Sequence, residues 1–371
     1  MIFNKKVLFI GLTSIIIIGF VACTKRNDNS SKVNILVPAP FTGDAASYGK
    51  VVKEGVEIAL SELEGDPVKQ KLNVIYQDSK LSTKEIVNIF QQQMALHPLS
   101  VVMPVSTGEA MALAPLCNKN KVVLLPPLAD GDKLTTARPY FFRISPASSF
   151  QGKVLADAIK NAGITKVAVL YLNDAWGQGL STKFKDYFSE LKGSVVAAES
   201  CDPNQTNMRT QLQKIKIAKP EAILILLHPT ETIPALKQIR ELGITAKLYG
   251  GDNFSNKAIY TEVSELAQGV VFALPAKPDN VEFRKFNKLY KDRYGTEADI
   301  NAAASRDAIM LIAEAVKKGA SDGISLKNLF DNLTEGYNGA TGTIKWDRDG
   351  NIVSKKYELF IVKDDMYSKL L

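Results

Sequence analysis

Val101-Val102-Met103-Pro104-Val105-Ser106-Thr107-Gly108-Glu109 holds the start of a structural unit within nine residues. Val101 to Met103 is an apolar run of the length expected for a buried strand. Ser106 and Glu109 have the spacing of a capping box, with the serine side chain on the third helical amide and the glutamate reaching back. The segment therefore predicts a strand feeding almost directly into a helix near residues 107–119. Such a cap leaves the first amides, near Thr107 and Gly108, without partners. A helix start with free amides beside a hydroxyl suits a carboxylate, which makes Ser106 and Thr107 candidate ligand residues.

The same order recurs on both sides. Upstream, strands are expected at 35–37 and 72–76. A helix carries Val52, Val56, Ala59, Leu60 and Leu63 on one face, and Ser82 and Glu85 open another. The strand at 122–125 closes a first α/β unit. After Ser145-Pro146 the order restarts, with strands near 167–171, 195–198, 222–227, 247–249 and 270–273 separated by amphipathic segments. Helices near 282–294, 302–318 and 326–333 follow, then strand-like segments at 342–346 and 357–362. Repeated strand–helix alternation implies parallel sheets covered on both faces, here as two Rossmann-like α/β lobes. Ligands of such sheets bind outside the carboxyl ends of the strands, so paired lobes predict a shared cleft.

Three further loops follow strands. Pro126-Pro127-Leu128-Ala129-Asp130 is either a rigid proline turn or a loop that brings the Ala129 carbonyl and the Asp130 side chain to the cleft. In Asn173-Asp174-Ala175-Trp176-Gly177, Trp176 is either an aromatic lid or helix-start packing. In Gly250-Gly251-Asp252-Asn253 the glycines permit close backbone approach, and Asp252 either meets a ligand ammonium or caps a helix.

Several classes are disfavoured. The chain of 371 residues carries 46 Lys and Arg against 39 Asp and Glu, a formal charge of +7. The basic residues are scattered without interleaved aromatics, which argues against a nucleic-acid partner. The two histidines, His97 and His228, each precede a proline, and no Cys or His spacing suits zinc. No phosphate-binding loop, dinucleotide fingerprint or nucleophile elbow is present. No enzyme activity, cofactor or metal is expected.

The first 22 residues read as an export signal, with Lys5 and Lys6 ahead of an uncharged run. Phe20-Val21-Ala22-Cys23 resembles the lipobox of bacterial lipoproteins, with Phe20 where Leu is usual. This implies a lipidated Cys23 and a polar tether over 23–32; the alternative is an uncleaved anchor helix with an incidental cysteine. Either places the body outside the cytoplasm, in the periplasm or on the outer face of a membrane. Cys117 and Cys201 fall in different lobes, where a bond would hinder hinge motion, so unpaired thiols are expected.

Pro40-Phe41-Thr42-Gly43-Asp44-Ala45-Ala46-Ser47-Tyr48-Gly49 resembles the opening signature of type I periplasmic binding proteins of the leucine/isoleucine/valine-binding class. Phe142-Arg143-Ile144-Ser145-Pro146 with Gln151-Gly152, Trp176-Gly177-Gln178-Gly179, and Thr341-Gly342-Thr343-Ile344-Lys345-Trp346-Asp347 with Gly350-Asn351 extend the resemblance along nearly all of the exported chain. The resemblance implies two lobes joined by three crossovers, near Ser145, Pro275 and Asp347. Residues 33–145 and 275–346 would form one lobe, and 146–274 and 347–371 the other. It also implies a monomeric solute-binding lipoprotein of an ABC importer, with a permease as partner and an amino acid or related small polar solute as ligand. Ser106 and Thr107 would hold a carboxylate with help from the Ala129-Asp130 loop, Asp252 would take an ammonium, Trp176 would cover the solute, and Tyr48 is a further ligand-binding residue. Asp130 stands where amino-acid binders usually carry Thr, where it repels a ligand carboxylate unless it pairs with a second amine or hydroxyl, and Trp176 replaces the commoner Tyr; an amide, a polyol or a cationic amino acid therefore stays open as ligand. A ligand-sensing or scaffolding envelope lipoprotein of the same fold is the alternative function.

Overall fold

The computed structural model describes residues 32–352, 355–363 and 365–370. The expected signal segment and Cys23 lie outside these residues, as does nearly all of the tether. Among the described residues no helix is long and apolar enough to cross a membrane.

The first sheet contains β1 (Val33–Ala39), β2 (Leu72–Asp78), β3 (Leu99–Val102) and β4 (Val123–Leu124), all parallel, in the order β2-β1-β3-β4. Its helices are α1 (Ala46–Glu62), α2 (Thr83–Leu96) and α3 (Thr107–Asn120). In β1, Ile35 and Val37 enter one apolar cluster and Leu36 the opposite one, all fully buried. A strand covered on both faces must be apolar at successive positions. Each such side chain contributes about 1.5–3 kcal/mol on burial.

The second lobe begins with α4 (Ser148–Asn161), followed by β5 (Lys166–Leu172), α5 (Ala175–Glu190), β6 (Ser194–Cys201), α6 (Arg209–Ile217) and β7 (Ala222–Leu226). Helix α7 (Pro229–Glu241), β8 (Lys247–Gly250), α8 (Lys257–Ala267) and β9 (Val271–Pro275) continue it. The chain then returns to the first lobe through α9 (Val281–Tyr294), α10 (Ile300–Lys317), α11 (Gly323–Asp331) and the hairpin of β10 (Tyr337–Gly339) with β11 (Gly342–Ile344). Ala308, Ile312, Leu326 and Ile344 are buried in the same cluster as β1. Strands β12 (Tyr357–Lys363) and β13 (Met366–Lys369) complete the second sheet, ordered β13-β12-β9-β8-β7-β5-β6. Strands β12 and β13 run antiparallel to their neighbours, so this sheet is parallel only from β9 to β6.

The last crossing lies beyond Asp347. Ile352 is buried in the first-lobe core and bridges to Trp346, and the Gly350 carbonyl accepts from the Arg143 amide at 3.2 Å. First-lobe packing thus continues past Asp347 to Ile352, and the passage to the second sheet ends where β12 begins at Tyr357. Lys355 ties that passage to the first one, donating to the Ile144 carbonyl and to Thr341 Oγ1, both at 2.7 Å. Cys117 and Cys201 are free and buried.

Candidate functional site

The carboxyl ends of β3 and β4 in one lobe face those of β5, β7 and β8 in the other. The loops that follow them enclose a cavity of about 460 Å³. Tyr48, Ser106, Thr107, Ala129, Asp130, Trp176 and Asp252 all line it. Tyr48 sits in the first turn of α1. A Cβ on the adjacent Gly49 would lie 2.1 Å from the Pro40 carbonyl oxygen, so glycine lets the preceding loop lie against the helix start. The Tyr48 hydroxyl crosses to the other lobe and donates to Asn253 Oδ1 at 2.5 Å.

At the start of α3 the capping box is formed. Ser106 Oγ donates to Glu109 Oε2 at 3.0 Å and accepts from the Glu109 amide at 3.2 Å, while Glu109 Oε2 also accepts from the Ser106 amide at 3.0 Å. Burial pushes the Glu109 carboxyl up. Thr107 Oγ1 accepts from the Gly131 amide at 3.1 Å. A Cβ on Gly131 would lie 2.3 Å from Thr107 Cγ2, so glycine is required for that approach. Both hydroxyls thus already bond within the protein. The helix start offers its early amides, which have no intrahelical partner.

The Asp130 loop is held from behind by Arg143, which is 0% exposed. Its Nη1 and Nη2 donate to the carbonyls of Asp130 and Gly131 at 2.8 and 3.1 Å. The guanidinium lies 5.2 Å from the Phe141 ring centroid. Its terminal nitrogens therefore serve the main chain and not the Asp130 carboxylate. Asp130 is 5% exposed, and its Oδ2 has no hydrogen-bond partner among the described residues. Burial, then the charge of Asp252, pushes its carboxyl well above the usual range, against the pull of Arg143. Asp252 opens a short 3-10 turn over Asp252–Ser255. Burial raises its carboxyl to about 6 while bonds from Gln151 and the Asn253 amide pull the other way, and its Oδ1 is unpartnered.

Trp176, 7% exposed, does two jobs: it belongs to the second-lobe core and forms part of the cavity wall. It lies 5.4 Å from the His228 ring, which is 6.1 Å from that of Tyr48. Burial holds the His228 imidazole below its ordinary value, opposed by Asp174 with its Oδ2 at 4.0 Å. Because it precedes Pro229, His228 was expected at an element end but was given no ligand role. Its place just after β7 was the available signal, since it is a strand-end position like the others. Asn253, Tyr290, Tyr294 and Asp299 also line the cavity without having been singled out.

Residues 32–366 match the family model described as periplasmic binding protein. A relative named Leu/Ile/Val-binding protein homolog 3, from Brucella melitensis, is 27% identical over 342 residues, covering 86% of this chain and 93% of the relative. The crystal structure of the leucine-binding protein LivK from Thermotoga maritima superposes with a TM-score of 0.84 at 26% identity, covering 91% of this chain and 98% of that one. An ABC-transporter solute-binding protein of R. palustris in complex with benzoate shares the fold, with a TM-score of 0.83 at 20% identity over 92% of this chain and 96% of its own. With its two α/β lobes, its strand-end cavity and this match along nearly all of its described length, the chain belongs to the type I periplasmic binding proteins of the leucine/isoleucine/valine-binding class.

Proposed function

We propose that the protein is an extracytoplasmic solute-binding lipoprotein of an ABC importer, closing its lobes around an amino acid or a related small polar solute. One observation carries the reading: the cavity is walled by strand-end loops of both lobes and spanned by bonds between them. Tyr48 reaches Asn253, and Asn256 Nδ2 donates to Ser47 Oγ at 3.2 Å. A solute that touches both walls binds the closed state more tightly than the open one, and that difference drives closure. The Thr107 and Gly108 amides, with Ser106 and the Ala129 loop, would hold a carboxylate. Asp252 would hold an ammonium, and Tyr48 and Trp176 would cover the rest. A charge-assisted bond in such a site contributes about 1.5–3 kcal/mol. The name of the Brucella relative and the benzoate in the R. palustris protein both support a small organic solute. The lobes would comprise 33–145 with 275 onward to the Trp346–Ile352 hairpin, and 146–274 with the last two strands. Lipid on Cys23 would hold the monomer near its permease.

A thermal-shift screen over amino acids, amides, polyols and aromatic acids tests this. A ligand at 100 times its dissociation constant adds about 2.7 kcal/mol to stability, enough to raise the melting temperature measurably. If no compound in any class shifts the transition, the reading fails. A bound solute whose uptake is unchanged in a deletion strain would move the protein to the sensing alternative.

A further inference from the structure

The cavity wall carries six carboxylates: Glu54, Asp130, Asp174, Asp252, Glu297 and Asp299. Four are engaged. Glu54 accepts from the Tyr290 hydroxyl, Glu297 pairs with Lys291, and Asp174 and Asp299 cap the starts of α5 and α10. The two lysines on the wall, Lys50 and Lys257, are exposed, and Lys50 lies 3.8 Å from Glu54. Asp130 and Asp252 remain, each with an oxygen that no described residue satisfies. They come from opposite lobes and raise each other's energy when both are ionised. The buried guanidinium of Arg143 gives its terminal nitrogens to main-chain carbonyls, keeps an unpartnered Nε, and acts on Asp130 through its charge without a hydrogen bond to the carboxylate.

We propose that the cavity selects solutes of net positive charge, such as a dibasic amino acid or a diamine, and that a cationic group bridges Asp130 and Asp252. This rests on the solute-binding reading above and narrows it. A carboxylate left buried without a partner costs more than a hydrogen bond returns. An ammonium brings three donors, enough for both orphan oxygens, and charge-assisted bonds are roughly twice as strong as neutral ones. It also turns a repulsion that opposes closure into an attraction that favours it. A neutral branched-chain amino acid would bring one ammonium and one carboxylate against two acids, and benzoate would bring only a further negative charge.

The sign of the pH dependence follows. Asp130 faces Asp252, Asp132, Arg143 and Tyr357; Asp252 faces Gln151, Asp299, Asp130, Tyr48 and Tyr357. The tyrosine hydroxyls stay neutral, because burial pushes both far up. Burial holds both acids above their ordinary range, so a bound cation must drive protons off them. Affinity for a cationic solute therefore rises between pH 5 and pH 7, and affinity for an anionic solute falls.

Titration calorimetry of the full-length protein in detergent with lysine, putrescine, leucine and benzoate at pH 5, 6 and 7 is the test. Lysine or putrescine is expected to bind at least tenfold more tightly than leucine or benzoate, with affinity increasing with pH. Asp130→Asn, which keeps the shape and removes the charge, is expected to cost at least tenfold for the cation and to improve leucine. Should that variant not fold, Asp252→Asn and the wild-type pH slope decide. Leucine or benzoate binding as tightly as the amines, or amine affinity falling with pH, would overturn the charge selectivity and leave the solute-binding reading standing. Failure of both amines with success of another compound in the wider screen would do the same. Failure of every compound would remove both.

Discussion

Arg306 is 1% exposed, and its removal should be the most damaging single change to the first lobe outside the apolar core. The side chain lies in α10. Its Nε and Nη2 donate to the two carboxylate oxygens of Glu62, at the end of α1, both at 2.8 Å. Nη2 also reaches Glu282 of α9 at 3.1 Å, and Nη1 reaches Asp307 at 3.0 Å. Asp307 in turn accepts from the amides of Ala340 and Thr341 at 2.8 and 2.7 Å, tying the β10–β11 hairpin to the same group. Arg306→Met keeps most of the stem and deletes the charge. Breaking a buried ion pair from one side costs about 3–5 kcal/mol, because the other charge stays buried and uncompensated. The lower end applies here. Glu62 keeps Lys285 at 3.7 Å, and Asp307 keeps its main-chain donors. A loss of about 3 kcal/mol lowers a urea midpoint by about 1 M at a slope near 3 kcal/mol per M. The assay is urea unfolding followed by the fluorescence of Trp346, which packs in this lobe, in a Trp176→Phe background. Lys288→Ala, in α9 of the same lobe, is the control. Its pair with Asp292 is more than half exposed on both sides, and such pairs are worth about 0.2–1 kcal/mol. If the two variants lost the same stability, burial would not be what makes the Arg306 cluster strong.

Three other outcomes follow from single contacts. Tyr48→Phe removes the bond between lobes to Asn253, which by the value of one hydrogen bond of about 0.5–1.5 kcal/mol should weaken binding of whichever solute the thermal screen identifies roughly 2–13-fold; Ser47→Ala, at the exposed bridge to Asn256, should change it less than twofold, and calorimetry showing equal effects would contradict a closed state held mainly by Tyr48. Burial depresses Lys355 to about 7 from an ordinary 10.5. The unfolded chain then binds more protons than the folded one between those values, so stability should rise with pH from 7 toward 10; denaturation midpoints of Lys355→Met should lack that rise, and an equally steep rise in the variant would assign it elsewhere. Cys23→Ser should release the protein from the detergent phase in a partition assay, whereas continued partitioning would point to an ordinary anchor helix.

What the sequence displayed was decided by periodicity and by strand ends. Strand β1 and the segment 101–109 were legible because a parallel strand buried on both faces has an unbroken apolar run, and a helix beginning beside it needs a visible cap. Helix α8 was not legible: Val263, inside it, has φ −144° and ψ 35°, so the apolar spacing does not hold one phase. The directions of β12 and β13 were equally hidden, since composition does not encode which way a strand runs. The resemblance implied a last crossing near Asp347, just ahead of the turn Asp349-Gly350-Asn351. In the fold that turn is a hairpin pinned to Arg143 through the Gly350 carbonyl. The site residues could be proposed one loop at a time, but the commitment of Arg143 to carbonyls and the engagement of Ser106 by Glu109 depend on contacts between segments.

The charge of the chain and the charge of its cavity are separate quantities. The formal +7 counts every charge of the chain; most of the described lysines are exposed, and at 0.1 M salt their field decays over about 10 Å. Within a closed cavity the effective dielectric is lower, so a single unpartnered carboxylate outweighs several surface lysines. This is why a basic chain can hold an acidic site, and why composition argued against a nucleic-acid partner without indicating the sign of the ligand. It also explains why one position matters so much. With Thr at 130 the early amides of α3 would dominate that wall and favour a carboxylate. With Asp130, a bound carboxylate meets a second carboxyl that must stay protonated, and the bond that gains most from closure is the one to a cation reaching across to Asp252.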